Sequence, residues 1–129
     1  MKEIKFRYRI KTFDQIKFYY RDLKEIENLN LFKSLRLMGC PTILSRDFFT
    51  GLKDKNGKEI YEGDIVKEGF YEKNKPILYI IEWREKDLSF GWKQVIPVLT
   101  EGLKLEESEA IGNIYENPCL LTFPKVKGN

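Results

Sequence analysis

The sequence predicts a mainly β chain, α+β only at the margin, with a small SH3-like barrel domain, an N-terminal β-hairpin and a short helical segment. Three observations support this fold class. Apolar and basic residues alternate strictly over Ile4–Lys11, which is the period of a half-buried strand. Turn residues crowd Thr50–Val66, and the Asn56-Gly57 pair within it favours a tight hairpin. Ile77–Trp83 is a continuous apolar run suited to a core strand.

The first strand has one apolar and one basic face. The apolar face carries Ile4, Phe6, Tyr8 and Ile10, and the opposite face carries Lys5, Arg7, Arg9 and Lys11. A basic face is most often a solvated surface that protects a sheet edge, and we favour that interpretation. The alternative is a phosphate-binding strip beside aromatic side chains that stack on bases. The candidate nucleic-acid-binding residues are therefore Lys5, Arg7, Arg9, Lys11, Tyr19 and Tyr20.

A turn, a second strand and a helix start are predicted next. Thr12–Gln15 is the expected turn, and Ile16–Tyr20 is rich in β-formers, so it should pair back on the first strand. Asp22 is followed by Glu25 at the spacing of a capping box. We expect one or two short helices, or a helix and then irregular chain, as far as Gly39-Cys40-Pro41.

The sequence places an organisational boundary after this segment. We expect residues 1–49 to hold the hairpin and the helical or irregular segment, and residues 50–129 to form the barrel-like domain, the two packed as one compact unit. Charge is also uneven, since residues 1–58 contain 14 Lys and Arg against 7 Asp and Glu, and residues 59–129 contain 9 against 13. The two halves can attract each other, attract another copy, or meet a charged partner; the sequence leaves all three open.

The barrel strands are predicted from apolar runs between turn signals. Their expected cores are Thr42–Thr50, Ile60-Tyr61, Ile65-Val66, Ile77–Trp83, Leu88–Val95 and Ala110–Tyr115, with Ile96–Leu99 as an extension. The expected connections are a type I′ turn at Asn56-Gly57, a polar loop over Glu68–Pro76 and an acidic loop over Glu101–Glu109. Gly91 is expected to mark a bulge. The aromatic residues expected to form a ligand or partner surface at the barrel are Trp83, Trp92, Tyr61 and Tyr115.

Composition narrows the class of function. Histidine is absent, which removes the commonest general base, the Ser-His and Cys-His nucleophile pairs and most zinc sites. Cys40 and Cys119 are the only cysteines, and isolated thiols of this kind are most often small core residues. The start does not resemble a signal peptide, and no apolar run is long enough to cross a membrane. We expect a cytoplasmic protein without a cofactor or a membrane partner.

Acidic residues raise two further possibilities. Four of them crowd one stretch without the spacing of a calcium loop: Glu59, Glu62, Asp64 and Glu68. We expect these carboxylates to be solvated or salt-bridged rather than to bind a metal. A two-carboxylate hydrolase stays open, although nothing in the sequence places two acids across a cleft. No catalytic residue and no metal ligand can therefore be named.

Residues 50–66 read Thr-Gly-Leu-Lys-Asp-Lys-Asn-Gly-Lys-Glu-Ile-Tyr-Glu-Gly-Asp-Ile-Val, and this stretch resembles the signature of the YopX family of phage and prophage proteins. Glu3–Arg7, Ile81–Trp83 and Ile111–Pro118 fit the same pattern in order. Tyr8-Arg9-Ile10 departs from it, and residues 22–45 match no family pattern. The resemblance implies a mainly β fold, a phage or prophage gene and a bacterial cytoplasmic location, but no established activity.

These observations favour a non-enzymatic accessory protein that binds a protein partner, from the phage or its bacterial host, through a small β-barrel. The first alternative is binding of DNA or RNA through the basic strand. A carboxylate-based hydrolase is the remote alternative. Small β proteins with exposed strand edges often pair, so a homo-oligomer is also consistent with the sequence.

Overall fold

The protein is mainly β with one short α-helix in its described part, as the sequence predicts. The computed structural model describes residues 3–13, 15–27 and 41–121. The strands are β1 (Lys5–Thr12), β2 (Gln15–Asp22), β3 (Thr42–Lys53), β4 (Glu59–Tyr61), β5 (Asp64–Glu72), β6 (Lys75–Arg84), β7 (Ser89–Gln94) and β8 (Glu109–Asn113). The helix is α1 (Leu23–Glu27), and Leu105–Glu107 and Pro118–Leu121 form 3₁₀ turns. The chain divides into two compact units, Met1–Gly51 and Leu52–Asn129.

In the first unit, β1 lies between β2 and β3 and is antiparallel to both. The apolar face of β1 is buried as expected: Tyr8 and Ile10 form a small core against Phe6, Tyr19 and Ile26. The alternation of the sequence thus gives both the strand and its inward face. The predicted β1–β2 hairpin is confirmed.

The start of α1 has the predicted capping box. Glu25 N donates a 2.8 Å hydrogen bond to Asp22 Oδ1, and Asp22 N donates a 3.1 Å bond to Glu25 Oε1. The two side chains thereby satisfy backbone donors that the helix itself leaves unpaired. The continuation of the helical segment and the boundary at Gly39-Cys40-Pro41 fall within residues 28–40, apart from Pro41, and those residues lie outside the described ones.

The second unit contains a four-stranded antiparallel sheet in the order β7-β6-β5-β8. Its buried core consists of Ile60, Val66, Ile77, Tyr79 and Ile81, with half-buried apolar side chains packed against it. Three of these core residues alternate along β6, which is the apolar run that the sequence marks as the best core strand. Burial of this face supplies the main favourable term in the folding of the unit.

The predicted polar loop over Glu68–Pro76 is wrong, because β5 and β6 continue through it as a hairpin. The register of the two strands shifts between Lys67 and Phe70, and Gly69 at this shift has φ of +75°. Asn74 takes the left-handed turn position with φ of +63°. A bulged, solvent-exposed arm lacks the strict alternation by which strands are recognised in sequence.

Three further local predictions are wrong. Gly91 is not at a bulge, since it pairs with Glu82 in unbroken register. Ile96–Leu99 does not extend the sheet, because β7 ends at Gln94. Cys119 is exposed rather than a core residue.

Candidate binding surfaces

The hairpin at Asn56-Gly57 forms, but its turn differs from the expected type I′. Gly57 N donates to Asp54 O at 3.0 Å, and Asp54 N donates to Lys58 O at 2.9 Å. Gly57 has φ of +82°, whereas Asn56 has no positive φ. The loop is therefore a three-residue connection that ends in a left-handed glycine, and only one of the two central residues needs the unusual conformation.

Asp54 holds this turn together from within. Its Oδ1 accepts hydrogen bonds from Asn56 N and Lys58 N, both at 2.9 Å, and its Oδ2 accepts one from Ala110 N at 2.9 Å. The residue is only 6% exposed. Burial on its own would raise the pKa of the carboxyl, but the three backbone donors and the Lys58 charge outweigh it and lower the pKa below its ordinary value of 3.8. Asp54 is thus an ionised anchor of the fold and unsuited to act as a general acid near neutral pH.

Other polar residues of the family-like segments also hold backbone turns. Asp64 Oδ2 accepts from Tyr61 N at 2.8 Å. Asn113 Oδ1 accepts from Tyr115 N at 3.0 Å, and Asn117 Oδ1 accepts from Asn113 N at 3.2 Å. These hydrogen bonds organise turns and strand ends. The three polar residues therefore have structural roles in the described part of the chain.

The cluster of acidic residues does not converge on one point. Glu59 Oε1 accepts from the Tyr61 hydroxyl at 3.3 Å, and Glu68 Oε2 accepts from Lys104 N at 2.6 Å. Asp64 is buried against the turn that it caps. Among the described residues, no group of three acidic or cysteine side chains could hold a metal ion.

The basic face of β1 differs from the expected solvated strip at Arg7. This residue is 4% exposed, and its Nε and Nη2 donate to Asp47 Oδ2 at 3.1 and 3.0 Å. The guanidinium also lies 5.0 Å from the ring centroid of Phe18. Asp47 faces Arg7 because the two are register partners across β3 and β1, and sequence alternation along β1 carries no information about that partner.

The remaining residues predicted to bind nucleic acid do not all lie on one face of the sheet. Tyr20 is the register partner of Arg7 and shares its face, whereas Tyr19 is the partner of Tyr8 and packs in the apolar core. Lys5 Nζ lies 3.5 Å from Glu3 Oε1. Arg9 is half-buried, and Lys11 is exposed near the β1–β2 turn. The structure thus brings Tyr20, but not Tyr19, to the basic face.

Of the four aromatics predicted for a partner surface, Trp83 is the one that is exposed. Tyr61 is buried, and Tyr115 is half-buried. Trp92 is half-buried and makes an edge-on contact with Tyr79 at 5.2 Å between ring centroids. Trp83 is 37% exposed and makes an edge-on contact with Phe90, its cross-strand partner, at 5.0 Å.

A residue that the sequence does not single out lies in the turn that joins the strands of Trp83 and Phe90. Leu88 lies in the β6–β7 turn with φ of +51° and is 76% exposed. We call Trp83, Leu88 and Phe90 together the β6–β7 patch. In the other unit, Phe13 of the β1–β2 turn has φ of +52° and is 73% exposed. Sequence rules assign left-handed turn positions to Gly, Asn or Asp, so neither residue is recognisable in advance.

An apolar cleft of about 210 Å³ lies beside the β5–β6 turn. Its lining includes Ile77, Leu78, Val95 and Leu120. The charged residue in the lining is Lys75, whose Nζ lies 2.8 Å from Glu72 Oε2. This ion pair leaves the cleft without a free charge to orient a polar ligand.

Comparison with known proteins gives a family and a structural neighbour. The family described as YopX protein matches residues 8–122. Protein EF1440 from Enterococcus faecalis is similar at 27% identity, with 89% of this chain and 75% of that chain covered and a TM-score of 0.44. No curated protein matches the sequence. None of the helical segments in the described ranges has the length and apolar character needed to cross a membrane.

Proposed function

The chain belongs to the YopX family, and we propose that it is a phage- or prophage-encoded accessory protein of the bacterial cytoplasm that binds another protein without catalysing a reaction. Its binding surface is the β6–β7 patch, carried by a small barrel-like domain of the SH3-like kind. The observation that carries the proposal is the exposed Leu88 in a left-handed conformation, in the turn that joins the strands of the contacting pair Trp83 and Phe90.

The conformation of Leu88 favours a role outside folding. A left-handed conformation costs an L-residue about 1–2 kcal/mol, and a side chain that is 76% exposed recovers little of this by burial. Asn or Gly at this turn would relieve the strain. Strained positions of this kind concentrate at functional sites, and an apolar side chain at a turn gains stability when a partner covers it.

The surroundings of the patch match the anatomy of a protein interface. Trp is among the residues most often found at the energetic centre of such interfaces. The turn that joins the two strands of the patch carries three exposed charged residues, Glu85, Lys86 and Asp87. An apolar centre with a charged rim is the usual arrangement at protein interfaces.

Site-specific photo-crosslinking tests this proposal. A photoreactive residue is placed at position 88 in the full chain, and at position 99 as a control, since Leu99 is fully exposed and lies outside the patch. After irradiation in infected or lysogenic bacteria, we expect a discrete protein adduct from position 88 that Trp83→Ala abolishes. Equal adducts from both positions, or an adduct that survives Trp83→Ala, would refute the proposal.

A second candidate function is nucleic-acid binding at the β1–β2 end of the first unit. Lys11 is exposed and lies on the same face of the β1–β2 hairpin as Tyr20, because cross-strand partners point to the same side of a sheet. We propose Lys11 and Tyr20 as the contact site. Anisotropy of labelled single-stranded and duplex DNA across a salt series tests it: Lys11→Glu with Tyr20→Ala should abolish salt-dependent binding, and Lys86→Glu in the other unit should not. Unchanged binding in the double variant would exclude this site.

A further inference from the structure

The edge of β7 presents backbone groups of Trp92 that β6 does not use. Val95 N donates to Leu78 O at 3.0 Å, which makes this a hydrogen-bonded pair. Hydrogen-bonded and non-hydrogen-bonded pairs alternate along antiparallel strands. Three positions back, Trp92 and its partner Ile81 therefore form a non-hydrogen-bonded pair, and the Trp92 N–H and C=O point away from β6. Because β7 is the last strand of its sheet among the described residues, they face an edge that no described strand covers.

Arg84 covers this edge. Its Nη2 donates a 2.6 Å hydrogen bond to Trp92 O, and its Nε donates to Glu82 Oε1 at 3.2 Å. The side chain reaches the carbonyl by crossing Gly91, where a Cβ atom would lie 2.4 Å from Arg84 Nε. The glycine that the sequence suggests as a bulge is thus the gap through which the guanidinium passes.

We propose that Arg84 guards β7 against pairing with the β7 strand of a second copy of this chain. An open strand edge is a template for another strand, and charged side chains are a common means of closing it. A second copy is the fitting occupant because it presents the same edge, and two identical antiparallel edges are self-complementary about a two-fold axis. An incoming strand must donate a hydrogen bond to the Trp92 carbonyl, which already accepts one from Arg84.

Two variants remove the hydrogen bond between Arg84 and the Trp92 carbonyl in different ways. Arg84→Ala removes the guanidinium, and Gly91→Ala displaces it with a methyl group. Lys86→Ala is the matched control, because it removes an exposed cation from the same hairpin without touching the edge. Light scattering after gel filtration gives the mass across a concentration series, and hydrogen exchange of the Trp92 amide reports whether β7 itself becomes paired.

We expect both variants to dimerise with a dissociation constant about tenfold or more below that of the wild type, since a charge-assisted hydrogen bond no longer competes. The Trp92 amide should exchange more slowly in the dimers, and Lys86→Ala should behave as the wild type does. The proposal is overturned if neither variant gains mass, if dimers form without protection of that amide, or if the wild type already pairs through β7.

Discussion

Replacing Asp54 by alanine should strongly destabilise the second unit. Three backbone N–H groups lose their acceptor, those of Asn56, Lys58 and Ala110. Hydrogen bonds to a charged group contribute about 1.5–3 kcal/mol each. Water can replace the carboxylate for the donors of the exposed turn, so we expect a total loss of about 3–5 kcal/mol.

Asp54→Asn removes the negative charge of the side chain but keeps its shape. The amide keeps one oxygen for the turn donors, but its NH₂ group then faces Ala110 N, another donor. We expect this variant to lose about half as much stability as Asp54→Ala. Urea titration monitored by tryptophan fluorescence measures both, because Trp83 and Trp92 are the only tryptophans and both lie in the Leu52–Asn129 unit.

The pH dependence gives an independent check. The pKa of Asp54 is lower in the folded state than its ordinary value of 3.8, so its contribution is complete above about pH 4 and is lost as the pH falls through the folded-state pKa. The wild type should therefore lose stability more steeply below pH 4 than Asp54→Asn does. A loss under about 1 kcal/mol in Asp54→Ala, or parallel acid profiles for the wild type and Asp54→Asn, would refute the anchoring role.

Three further substitutions test other features. Leu88→Asn should raise stability by about 0.5–1 kcal/mol in the same urea titration, because asparagine tolerates the left-handed turn; a loss of stability would contradict the strain argument. Asp47→Ala should cost about 3–5 kcal/mol because it leaves Arg7 buried and uncompensated, and thermal unfolding should show Arg7→Met with Asp47→Leu far closer to the wild type. Gly112→Ala should cost about 1–3 kcal/mol, since its Cβ would lie 2.2 Å from Asn117 Oδ1; unaltered amide exchange at residue 113 would argue against this clash.

Local sequence patterns predict much of this fold. The alternation in β1 gives the strand and its buried face, and the Asp22–Glu25 spacing gives the helix start. Both patterns act over a few residues, so the sequence displays all the interacting groups. The Asn56-Gly57 pair likewise predicts a hairpin, although the turn type depends on Asp54, which supplies acceptors that a dipeptide rule does not include.

The parts that sequence misses depend on partners distant in the chain or on strain. The prediction that Arg7 faces solvent is wrong because its partner Asp47 lies 40 residues later in the chain, on β3. The sequence does not single out Leu88 because turn propensities assign left-handed positions to Gly, Asn or Asp, and a leucine in that conformation departs from them. The candidate binding surface is therefore the least predictable part of the molecule, since its distinguishing mark is a departure from local preference.

The bond between Ala110 N and the Asp54 carboxylate spans 56 residues, and this separation bears on how the protein forms during synthesis. Non-local contacts form slowly, because the intervening chain must first be brought together. The hairpin at Asn56 can close early with two of its three anchoring bonds, but the third requires β8. On a ribosome, the second unit should therefore complete its packing only after β8 has emerged, whereas β1 and β2, joined by a short turn, can pair as soon as both are made.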